Sequence, residues 1–181
     1  MKVISTGFPD LLLVEPEVFE DKRGYFFESF NHRDFERAIG RSVAFVQDNH
    51  TRSNHNVLRG LHYQIEQPQG KLVRIVAGEV YDVSVDLRRS SPTFGKWFGI
   101  RLSAENKRMM WIPEGFAHGF LVLSDRADTL YKTSAYWAPR HERCINWNDP
   151  DLAIDWPVTE PPFISSKDAA GSAFKRADLF A

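Results

Sequence analysis

The sequence predicts an antiparallel all-β sandwich, and three observations carry that expectation. Gly, Pro, Asn and Asp recur about every ten residues between short apolar stretches, the spacing of a sandwich or barrel. Residues 79–87 alternate, with Tyr81, Val83, Val85 and Leu87 set against Asp82, Ser84 and Asp86. That strand is expected to have one buried face and one polar face. Aromatic residues make up 13% of the chain, which suits β packing or an aromatic-lined pocket.

Taken in chain order, strand-like segments run through 11–18 and 25–30. A short helix follows over 33–39, with Asn31 or His32 near its N-cap and Gly40 closing it. Further strand segments cover 57–63, 72–76, 79–87, 97–102, 109–112, 119–123 and 129–136. From Ser165 onward the tail is expected to form a short helix or two. So little helix between strands argues against a βαβ layout. No GxGxxG follows a strand, so a nicotinamide cofactor has no support.

The length of 181 residues suits one domain, read as residues 1–181 without linker, repeat or low-complexity tract. A formal charge of -1 gives no global basic field for nucleic acid. Cys144 is the only cysteine, which excludes an internal disulfide and any multi-cysteine metal site. No apolar run approaches the roughly 18 residues needed to span a bilayer. The start, MKVISTGFPD, lacks a signal-peptide apolar region. The expectation is a cytoplasmic protein that binds neither nucleic acid nor membrane.

The chemistry concentrates in two stretches. One is Gly60-Leu61-His62-Tyr63-Gln64, followed by Lys71 and Gly78; the other is Pro113-Glu114-Gly115-Phe116-Ala117-His118. Together they resemble the two cupin motifs, His-x-His with a following Glu and Gly, and Pro-x-Gly-x-x-His. The resemblance implies a cupin-type antiparallel jelly roll. Metal-binding cupins hold one divalent ion with three histidines and that Glu, and residues at i and i+2 on a strand share its inward face. Here Gln64 stands in the second histidine position and Lys71 in the Glu position. An ammonium has three donors and no acceptor, so Lys71 in its charged form would repel a cation. Two histidines and an amide make a poor site for zinc or iron. No metal and no other cofactor is expected.

A fixed cation suits proton removal from a carbon beside a carbonyl, because the enolate oxygen needs charge stabilisation where it forms. His62 is the natural base. An epimerase also needs a group on the opposite face to return the proton, and Tyr131 is the candidate. Several motifs extend this reading. They are Phe45-Val46-Gln47-Asp48-Asn49-His50, Val57-Leu58-Arg59-Gly60-Leu61-His62, Gln69-Gly70-Lys71-Leu72-Val73-Arg74, Ser91-Pro92-Thr93-Phe94-Gly95-Lys96-Trp97 and Leu130-Tyr131-Lys132-Thr133. With the 112–120 stretch they make the chain similar to the dTDP-4-dehydrorhamnose 3,5-epimerase family, in order from about Val3 to Asp168.

The resemblance implies a dTDP-4-keto-6-deoxy sugar as substrate. It implies His62 as base with Asp168 as its orienting partner, Lys71 on the enolate at O4, and Tyr131 as acid on the far face. Arg59 and His118 match substrate contacts, with the Arg59 guanidinium suited to a diphosphate. Arg23, Glu28, Gln47, Asp48, Asn49, Glu142 and Lys167 match further substrate-binding positions. Trp137 falls where the family stacks an aromatic on the thymine, often a Tyr. The family also implies a homodimer, with Arg23 and Glu28 reaching the neighbouring subunit's site.

Plainer readings stand beside these. Tyr131 alone reads as core, Lys71 could turn outward, Arg23 and Arg59 could be surface ion pairs, and Ser165–Asp168 could be a helix N-cap. Trp97, Trp111, Trp147 and Trp156 are read as packing, and His32, His50, His55 and His141 as solvated. The rival functions are an epimerase of one carbon or a ketoisomerase on the same fold, a non-catalytic sugar-binding cupin, and a metal-dependent dioxygenase.

Overall fold

A computed structural model describes residues 1–181. It contains thirteen strands and two short helices. The strands are β1 (Lys2–Ser5), β2 (Leu12–Glu15), β3 (Val18–Asp21), β4 (Gly24–Phe27), β5 (Gln47–Asn54), β6 (Leu58–Gln64), β7 (Lys71–Ala77), β8 (Glu79–Asp86), β9 (Trp97–Ser103), β10 (Met109–Ile112), β11 (Phe116–Val122), β12 (Arg126–Thr133) and β13 (Glu142–Cys144). The helices are α1 (His32–Ile39) and α2 (Ser166–Ala169), with a 3-10 turn at Phe174–Arg176. A six-stranded sheet, β1-β2-β10-β7-β12-β5, faces a five-stranded sheet, β13-β6-β11-β8-β9. Their strand pairs are antiparallel, and β3–β4 forms a separate hairpin. The architecture is a cupin-like jelly roll.

Alternation places each residue in one of three layers. Val73, Ile75, Met110, Ile112, Val80, Phe116, Phe120 and Val122 meet between the sheets. Leu72, Met109 and Trp111 point outward from the six-stranded sheet and are covered by Phe35 of α1, whose ring lies 5.2 Å from that of Trp111. The helix is fixed at both ends: Asn31 Oδ1 accepts the Asp34 N–H at 3.2 Å, and Gly40 closes it at φ 74°. On the far side Leu58, Leu61, Val83, Val85 and Leu121 pack against Ile145, Leu152, Trp156 and Phe174 from the chain's last third.

This arrangement corrects the expectation for residues 79–87. Both faces of β8 are buried, Asp82, Ser84 and Asp86 included. The apolar face turns outward beneath the C-terminal segment, and the polar face turns into the sandwich. Other departures are smaller: segment 129–136 is strand only to Thr133, and segment 11–18 divides into β2 and the start of β3. Lys71 is buried, as the reading of a fixed interior cation expects and against its turning outward. Three strands were not anticipated from the sequence, namely β1, β5 and β13.

Candidate active site

A cavity of about 360 Å³ opens between the two sheets at the polar end of their shared interior. The five-stranded sheet contributes Arg59, His62, Gln64, His118 and Glu142, and the six-stranded sheet contributes Gln47, Asn49, Thr51, Lys71 and Tyr131. Trp137 lines it from the loop before β13. His62 and Tyr131 therefore stand on opposing sheets.

Two glycines set the local geometry around the histidines. Gly60 has φ 122°, and a Cβ there would lie 2.6 Å from Gly119 Cα. The strands β6 and β11 can only touch at this point because both residues lack side chains. A register irregularity follows between His118 and Phe120, and His118 pairs directly with His62. Each histidine then finds an aspartate. His62 Nε2 bonds to Asp168 Oδ1 from α2, leaving Nδ1 without a protein partner. His118 Nε2 bonds to Asp82 Oδ2 of β8 at 2.8 Å.

Asp168 is held from several directions. Burial pushes its carboxyl up, but the His62 hydrogen bond and charge, Ser165 and the Gly60 backbone outweigh that and keep it below the ordinary carboxylate range. Ser165 Oγ also accepts the Asp168 N–H at 3.1 Å, so the N-cap and the contact with His62 coexist. Cys144, opposite His62 in the β13–β6 register, points its thiol at Asp168 Oδ1 at 3.8 Å. Burial first, and then the Asp168 charge, push that thiol up to about 12, so it stays protonated.

Lys71 donates to the His62 carbonyl at 3.3 Å. Burial pulls its ammonium down to about 8, against the raising effect of Asp82 and Glu142. Burial raises the Tyr131 phenol above its ordinary value, opposed by the Arg59 charge, so Tyr131 holds its proton at neutral pH. Glu142 is paired with Lys167 at 2.5 Å, which places the residue before Asp168 at the pocket rim.

The donor set does not suit a divalent ion. Both histidines already spend a ring nitrogen on an aspartate, and the remaining cupin ligand positions carry Gln64 and the buried Lys71. His62, Cys144 and Asp168 do offer donor atoms within 4.8 Å of one another. The hydrogen bond between His62 and Asp168 already occupies two of those three donors.

Three expected residues lie elsewhere in the single chain. Arg23 sits at the exposed tip of the β3–β4 hairpin, bound to Asp21. Glu28 lines a separate groove beside Phe19 and Phe26. Asp48 stands on the opposite face of β5 from Gln47 and Asn49, paired with Lys132 at 3.0 Å. Sequence reasoning missed Thr51, Asp82 and Cys144. Asp82 was legible only as part of an expected polar face, and Cys144 carried no motif.

A jelly roll whose cavity holds a His–Asp pair, a buried ammonium and a facing phenol defines a class: cupin-like isomerases of carbonyl sugars. The particular family follows from comparison. The family described as dTDP-4-dehydrorhamnose 3,5-epimerase matches residues 5–176. A curated dTDP-4-dehydrorhamnose 3,5-epimerase from Pseudomonas aeruginosa is 65% identical over 180 residues, covering 99% of each chain. The crystal structure of dTDP-6-deoxy-D-glucose-3,5-epimerase from Legionella pneumophila in complex with dTDP-4-keto-L-rhamnose superposes with TM-score 0.96 at 51% identity, covering 99% of this chain and 97% of that one. A 3'-monoepimerase from Streptomyces bikiniensis in complex with dTDP-quinovose gives 0.88 at 34% identity, covering 93% and 85%. The chain belongs to the dTDP-4-dehydrorhamnose 3,5-epimerase family.

Proposed function

We infer that the chain epimerises dTDP-4-dehydro-6-deoxy-D-glucose at C3 and C5, giving the L-configured keto sugar used for dTDP-L-rhamnose. The observation that carries this reading is the placement of His62 and Tyr131 on opposing sheets across one cavity. A sugar ring between them exposes one face to a base and the other to an acid.

The C4 ketone acidifies the C–H bonds at C3 and C5. His62 takes the proton through Nδ1, becoming an imidazolium that Asp168 stabilises. The electron pair moves into the enolate, whose O4 is met by the Lys71 ammonium. Tyr131 then delivers its phenolic proton from the other face, and the Arg59 charge favours the resulting phenolate. The imidazolium loses its proton to solvent and the phenolate regains one, so no net redox change occurs and no cofactor is consumed. Arg59 and Lys167 suit the diphosphate, Gln47, Asn49, His118 and Glu142 suit polar substrate contacts, and Trp137 offers its face to the thymine.

Phe19, Tyr25 and Phe26 are 57%, 60% and 70% exposed on the β3–β4 hairpin. Such a patch supports a homodimer in which the hairpin docks on a second copy and brings Arg23 and Glu28 to its site; the compartment we propose is the cytoplasm. Asp48 would then face the intersubunit groove. No helix is long and apolar enough to cross a membrane.

The test is deuterium uptake from heavy water, read by NMR, with chelator-treated protein. Label at both C3 and C5 of the product is expected. Label at one carbon only would make the chain a mono-epimerase, and binding without label would make it a non-catalytic sugar-binding protein.

A further inference from the structure

Gln64 does not face the centre of the cavity. It follows His62 by two residues on β6, is 3% exposed, and turns toward the loop that carries Trp137. Its Nε2 donates to the Gln67 carbonyl at 2.8 Å and to the Tyr136 carbonyl at 3.3 Å. Its Oε1 accepts the Ala138 N–H at 2.8 Å. Two carbonyls on the nitrogen and one N–H on the oxygen permit a single orientation of the amide.

Two other glutamines complete the same fastening. Gln47 Oε1 accepts the Trp137 N–H at 3.0 Å, and Gln69 Nε2 donates to the Ala135 carbonyl at 2.9 Å. Each residue from Ala135 to Ala138 thus has a backbone group tied to a glutamine side chain. Trp137 itself remains 59% exposed, with its indole Nε1–H donating to Glu142 Oε2 at 3.3 Å. An exposed ring on an immobilised backbone loses little freedom when a flat partner lands on it.

We propose that Gln64 is a positioning residue for nucleotide recognition. It locks residues 136–138 so that the Trp137 indole stands ready at the cavity mouth for the base of a nucleoside-diphosphate sugar. This rests on the reading of the substrate as a dTDP-linked sugar. Where a metal-binding cupin presents a second ligand, this chain carries a fastener for its base platform.

The experiment compares Gln64→Met, Trp137→Ala and the double variant. It measures kcat and KM with the keto sugar, and affinities for dTDP and for inorganic pyrophosphate by calorimetry. Gln64→Met is expected to raise KM and weaken dTDP about tenfold, roughly the worth of one lost hydrogen bond and its ordering. It is expected to leave kcat within about twofold and pyrophosphate affinity unchanged, because those depend on other side chains. In the Trp137→Ala background the same change should add less than about twofold. If Gln64→Met does not fold, the isosteric Gln64→Glu removes both donor contacts and takes its place. Wild-type dTDP affinity in the Gln64 variant with loss in Trp137→Ala would overturn the proposal alone. Wild-type dTDP affinity in Trp137→Ala would overturn the base-stacking reading beneath it. Equal losses for dTDP and pyrophosphate would show general damage to the cavity and also overturn it.

Discussion

Two His–Asp pairs face each other across β6 and β11, yet they differ in how they are held and in how much solvent they meet. Asp168 reaches His62 from 106 residues away, on a short helix capped by Ser165. Asp82 reaches His118 from the adjoining strand β8. The His62 side chain is 28% exposed and lies over the cavity, whereas His118 is 9% exposed. Asp168 Oδ1 also receives the Cys144 thiol, while Asp82 Oδ1 has no protein partner. A base must exchange its proton with solvent in every turnover, so access favours His62. A buried imidazole fixed by a strand neighbour suits a constant contact to the substrate.

Removing each histidine in turn is the sharpest way to break this distinction. His62→Ala should lower the rate of C–H exchange by about 10³-fold or more, the upper part of the range for general base catalysis. His118→Ala should retain exchange and lose about tenfold in kcat/KM, the worth of one substrate hydrogen bond. Comparable losses of exchange in both would erase the difference between the pairs. Next in size, Lys71→Met should cost about 10²–10³ in kcat, as for removal of an oxyanion donor, measured by steady-state kinetics.

A third expectation concerns pH. Lys71 titrates at about 8, below its ordinary value because it is buried. Its active form is the cation, so kcat/KM should fall above about pH 8, roughly tenfold per pH unit. The Lys71→Met profile should lack that limb. The sign for stability is opposite. Above about pH 8 the unfolded chain keeps a proton on Lys71 that the folded chain has released, so this group's contribution to stability rises with pH until the unfolded lysine titrates. The smallest expected effect follows from the same burial: Lys71→Met should raise Tm by about 2–4 °C in calorimetry. Loss of activity with a gain of stability would mark Lys71 as a functional strain.

The sequence made the apolar skeleton legible and much of the cavity wall illegible. Segments 109–112 and 97–102 correspond closely to β10 and β9 because their apolar residues fill a layer. Strand β5 reads Gln-Asp-Asn-His-Thr-Arg-Ser-Asn, with no apolar residue to signal a strand. It exists because it pairs with β12 from Gln47↔Thr133 to Asn54↔Arg126 and offers Gln47, Asn49 and Thr51 to the cavity. Alternation in β8 was read correctly and oriented wrongly, since the polar face of a strand next to a cavity turns inward. Asp168 could not be linked to His62 by spacing at all; only the resemblance joined them.

The central claim is that base and acid act from opposing sheets. Its most direct test is Tyr131→Phe incubated with the keto sugar in heavy water, with label and configuration read by NMR. The expected result is deuterium entering at C3 and C5 with retained configuration, as His62 removes and returns protons on one face, while inversion falls by about 10²-fold. Inversion at the wild-type rate, or disappearance of exchange together with inversion, would contradict it.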